Sequence, residues 1–112
     1  MRSILLLVFA LLSLAVQSAQ ADVLVRDYER LREDPNIHSY LVGFSRGVFY
    51  TNSFVGVAGQ RRLFCPPRSL QLDEDVLLSV IDSYIKASKP KSDEFVEQLI
   101  LDAFVKEYPC LH

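Results

Sequence analysis

The sequence predicts an all-α domain, a compact bundle of about four helices closed by one disulfide. Three observations predict it. Apolar residues recur at helical spacing in four separate stretches, proline and capping residues punctuate those stretches, and two cysteines lie 45 positions apart at Cys65 and Cys110. Together they describe a small bundle whose last helix is tied back to the middle of the chain.

The first 21 residues read as a secretory signal peptide, and residues 22–112 as the domain. Arg2 supplies a positive start, Ile4 to Val16 is apolar apart from Ser13, and Ala19-Gln20-Ala21 is a small-x-small cleavage site that would leave Asp22 at the N-terminus. The apolar run is well short of the roughly 20 residues that span a bilayer. No cysteine follows it closely, which argues against a lipid anchor. The chain of 112 residues has a formal net charge of −2. Loss of Arg2 makes it slightly more acidic, a balance that gives no reason to expect nucleic acid or an anionic membrane as partner.

A domain of this size buries little surface and gains from a covalent tie. An even cysteine count in a small exported chain reads as a disulfide, here Cys65 to Cys110. The competing readings are a redox-active thiol and a metal pair. There is no C-x-x-C motif, and His38 and His112 are the only histidines, too few for a closed zinc site with two cysteines so placed.

Val23 to Glu33 carries Val23, Leu24, Tyr28 and Leu31 near i, i+4, i+7 spacing, the mark of a short amphipathic helix. Asp34-Pro35 ends it, because the residue before proline avoids the helical region. Asn36 to about Ala58 predicts a second helix, with a buried stripe of Ile37, Tyr40, Leu41, Phe44 and Val48. Gly43 and Gly47 share a face and would admit a neighbouring backbone. The β-rich run Val48 to Val57 leaves a strand open as the alternative beyond Tyr50.

Gly59 to Leu72 is a connector stiffened by Pro66-Pro67. Asp73 is placed to cap a third helix running to about Ala87, with a stripe of Val76, Leu77, Val80, Ile81, Tyr84 and Ile85. Ser88 to Lys91 breaks the chain. Ser92 is the expected cap of a fourth helix, whose buried face is Phe95, Val96, Leu99, Ile100, Ala103 and Phe104. Pro109 stops it beside Cys110.

No catalytic constellation emerges, and the chain reads as a non-enzyme with no cofactor and no metal. A nucleophilic triad needs a histidine base with an orienting group. His38 reads as a polar residue at a helix start, His112 as a terminal residue, and Asp73-Glu74-Asp75 as a helix start in which carboxylates complement the dipole. One local charge bias remains. Arg61, Arg62 and Arg68 flank the connector and are candidates for contact with an acidic partner, set against the plainer reading of a solvated loop.

Tyr40-Leu41-Val42-Gly43-Phe44-Ser45-Arg46-Gly47, then Phe64-Cys65-Pro66-Pro67, a helix ending in Tyr84-Ile85, Pro90, and a closing Tyr108-Pro109-Cys110 follow one another in order. This pattern resembles the Rap/Tai family of small periplasmic immunity proteins. The resemblance covers roughly Ser39 to Cys110. It implies a compact all-α fold with a disulfide between Cys65 and Cys110. It further implies a periplasmic protein that binds and inhibits a peptidoglycan-degrading, amidase-type effector delivered by type VI secretion, often as a dimer. The alternative expectation is a small periplasmic acid-stress chaperone or a cell-envelope binding protein. Helix-start carboxylates such as Asp73, Glu74, Asp75, Asp93 and Glu94 would then lose their dipole interaction on protonation.

Overall fold

The computed structural model describes residues 22–111. The expected signal peptide and His112 lie outside the described residues. Among the described residues there are four helices: α1 Val25–Leu31, α2 Pro35–Val57, α3 Glu74–Ser88 and α4 Val96–Glu107. Among the described residues there is no strand, only an isolated antiparallel bridge between Leu24 and Phe95.

Asp34 and Pro35 divide α1 from α2. The Asp34 carboxylate accepts from the backbone N–H groups of Asn36 and Ile37, and Pro35 occupies the first turn, where its missing N–H costs nothing. His38 is therefore not the cap; its Nε2 lies 2.8 Å from Glu74 at the start of α3. The helix continues unbroken to Val57, so the β-rich run is helical. Tertiary packing overrides that propensity, because Phe49 and Asn52 on this run point into the core. Ala58 closes the helix with Gly59 at φ +78°. Gln60 N–H reaches Val55 O and Gly59 N–H reaches Gly56 O, the paired bonds that a left-handed glycine permits.

Asp73 caps α3 as expected, accepting from Val76 N–H at 2.9 Å. Lys89 ends α3 in the left-handed region at φ 47°, and Pro90 follows. The start of α4 differs from the sequence reading. The cap position is Phe95, without a side-chain cap, and Phe95 is 42% exposed rather than on the buried face. Ser92 instead belongs to a turn closed by the Glu94 carboxylate, which accepts from Lys91 N–H. The N-terminal segment instead pairs with the chain at the start of α4. Val96 N–H donates to Val23 O, and Val25 N–H donates to Glu94 O.

Helices α2, α3 and α4 pack on one another. Leu41, Phe49, Leu77, Ile81, Ile100 and Phe104 fill the space between them, and Val23 and Tyr28 join from the N-terminal segment. Phe64, from the connector, is fully buried against Phe49 and Phe104, with ring centroids 5.0 and 5.7 Å away. Burial of one such ring contributes on the order of 2–3 kcal/mol. Cys65 N–H donates to Tyr108 O at 2.7 Å, and Cys65 is disulfide-bonded to Cys110. The covalent tie thus holds the connector against the end of α4. On the other flank, Tyr28 donates to Asp82 at 2.6 Å, and Arg32 pairs with the other Asp82 oxygen. Burial, and then the Asp82 carboxylate, push the Tyr28 hydroxyl well above its usual range.

Candidate protein-docking surface

Helix α2 turns Leu41, Val42, Ser45, Phe49 and Asn52 inward. The expected buried stripe was rotated from this one. Of its members only Leu41 is buried; Phe44 is largely exposed, and Ile37, Tyr40 and Val48 are half-buried. Periodicity misleads here because the helix is apolar nearly all round and two of its inward residues are polar. The Ser45 hydroxyl donates to Leu41 O. Asn52 is only 4% exposed, and its carboxamide donates to Phe64 O and accepts from Leu63 and Phe64 N–H. One amide therefore fixes two consecutive connector residues and seats Phe64 in the core.

The outward face is the inverse. Tyr50, Phe54 and Val57 stand in solvent at 68%, 71% and 87% exposure. Another stretch of the same helix lines an open groove of about 400 Å³. Phe44, Gly47, Val48, Thr51 and Val55 form one wall, Leu63 and Leu101 the other, and Phe64 and Asn52 lie beneath. Across Pro35–Val57 the only formal charge is Arg46, apart from His38 near the start. Arg46 is turned away to Leu72 O, to which it donates at 3.2 Å. A Cβ placed on Gly43 or Gly47 would meet nothing within 4 Å among the described residues, so none of these makes the close approach that their spacing suggested. Exposed apolar side chains on an uncharged helix surface mark an interaction surface.

Arg61, Arg62 and Arg68 are all exposed. The aliphatic stem of Arg62 lies over Gly56, and Arg61 and Arg62 follow directly on the C-terminus of α2, where cations complement the helix dipole. Through Leu63 they adjoin the groove. Arg68 lies in the Pro67–Leu70 turn. None of the three makes an ion pair among the described residues.

Sequence reasoning missed the groove, Asn52 and the exposed aromatic residues. The signal was present as a 23-residue helix with one arginine, since a helix wetted on one side ordinarily carries charges there. No group of three or more His, Cys, Asp or Glu residues that could hold a metal ion occurs among the described residues. No helix among them is long and apolar enough to cross a membrane.

The fold and this face define a disulfide-closed helical domain with an apolar docking surface. No family model matches the chain, and no curated protein or solved structure matches it.

Proposed function

We propose that this protein is exported to the periplasm and acts there as an immunity protein, binding and inhibiting a secreted peptidoglycan-degrading effector of the amidase type. The observation that carries this reading is the uncharged outward face of α2. Tyr50, Phe54 and Leu63 are the residue types and the exposure from which interface hot spots are built. Three features support it. The order of the Tyr-x-x-Gly, Phe-Cys-Pro-Pro and Tyr-Pro-Cys motifs resembles that family. The disulfide and the Asn52 staple hold the groove rigid, which lowers the ordering cost of association. The arginines beside Leu63 would meet acidic residues on the effector's rim and speed encounter.

The test mixes the mature protein, residues 22–112, with the product of the neighbouring gene, assayed as a peptidoglycan hydrolase, and follows cleavage. The expected result is a stoichiometric complex that silences the hydrolase. Phe54→Glu should weaken it by about 30-fold or more, the loss of one hot spot, while leaving the fold intact. Unimpeded cleavage with the wild-type protein in excess would remove the immunity reading. Self-association through the same face, abolished by Phe54→Glu, would assign the groove to a second copy. Capture of unrelated unfolded proteins near pH 3 would favour an acid-stress chaperone.

A further inference from the structure

Glu97 is the second residue of α4. Its Oε1 accepts from Val23 N–H and from the Tyr40 hydroxyl, each at 2.9 Å. Its Oε2 is buried and has no hydrogen-bond partner among the described residues. A buried carboxylate oxygen without a donor is costly, and an unexplained one signals a partner. The neighbouring backbone shows which partner fits. Val23 is 1% exposed and held on both sides of α4's start, its carbonyl accepting from Val96 N–H. Successive backbone nitrogens along an extended chain lie roughly 3.5 Å apart. The nitrogen of Asp22 is therefore the next donor along the chain from the one that already binds this carboxylate.

We propose that Glu97 is a binding site for the α-ammonium of Asp22, created when the chain is cut after Ala21. The inference rests on the export reading. A signal peptidase would add one water across the Ala21–Asp22 peptide bond. Ala21 departs with the carboxylate, and Asp22 keeps the nitrogen, which takes up a proton and becomes an ammonium. An amide with one N–H becomes a cation with three donors beside an unpaired anionic oxygen. The resulting pair locks the N-terminal segment to the first turn of α4, so cleavage tightens the fold at its own product end. The titratable group facing Glu97 from α2 is the Tyr40 hydroxyl, which also feels the charge of the Asp22 carboxylate. Burial first, then the Glu97 hydrogen bond and charge, and last Asp22 push Tyr40 up to about 12, so it stays a neutral donor throughout the test range.

The full chain is expressed with export, and the product is purified from the periplasm. Intact mass establishes its first residue. The α-amine pKa is then followed by NMR in the wild type and in Glu97→Gln, whose amide keeps the Oε1 acceptor for Val23 and Tyr40. A free α-amine titrates at about 7.7–8.0. The expected result is a chain beginning at Asp22 whose α-amine titrates about one unit or more higher, with Glu97→Gln returning it to the ordinary range. A raised folded-state value stabilises fully below about pH 7.7 and is lost as pH rises through the folded value. The wild-type melting temperature should therefore fall across that window by more than that of Glu97→Gln. A chain that begins at Asp22 with an ordinary α-amine pKa overturns the pairing. A chain that begins elsewhere overturns the cleavage site on which it rests, a separate failure read from the mass alone.

Discussion

Each face of α2 carries exceptions to the usual allocation of side chains, polar ones among the inward Leu41, Val42 and Phe49 and apolar ones in solvent. Inside, Ser45 and Asn52 are buried; outside, Tyr50, Phe54 and Val57 are exposed. The inward polar groups are all answered, Ser45 by Leu41 O and Asn52 by the Leu63–Phe64 backbone. The outward apolar groups stand in solvent among the described residues. Polarity alone does not assign a helix face. What decides is whether a specific partner exists for each group, and here the buried amide organises a neighbouring loop while the exposed rings await another surface.

The contrast can be tested from its strongest support downward. Cys65→Ser with Cys110→Ser releases the connector that Asn52 holds. Closing a 45-residue separation is worth about 4 kcal/mol by chain entropy, so a large drop in melting temperature is expected. An oxidised protein no more stable than this double variant would show that the inward face alone fixes the connector. Asn52→Leu keeps the branched outline but strips three hydrogen bonds from Leu63 and Phe64; about 3 kcal/mol should be lost in urea denaturation. Gly47→Ala acts in the other direction. Its new methyl meets nothing, so the helix should gain about 0.5–1 kcal/mol, while the groove becomes shallower. A loss of stability there would mean that the outward face is already covered.

Much of the fold was legible in the sequence because punctuation is local. Asp34-Pro35, Asp73 and Pro90 act within a turn of where they stand, and the helices begin and end beside them. The cysteine pair was legible from count and compartment. The start of α4 was not, because its first N–H, that of Val96, is met by the Val23 carbonyl from the other end of the domain, a contact that no local capping residue records. The candidate surface was hidden for a related reason. A helix apolar around most of its circumference offers periodicity no preferred direction, and the choice falls to Asn52, whose partner lies in a loop 11–12 residues away.

The position of the disulfide also governs what a protease can do. Helices α3 and α4 lie inside the loop that Cys65 and Cys110 close, whereas α1 and α2 lie outside it. The exposed lysines Lys89 and Lys91, between α3 and α4, sit within that loop. A cut there leaves two pieces on one covalent ring, still packed, and visible as two bands only after reduction. A cut between Ala58 and Phe64 severs α2 from the ring. Where damaged chains are cleared by proteolysis, the molecule can survive a nick between α3 and α4 with α2 still joined to the ring.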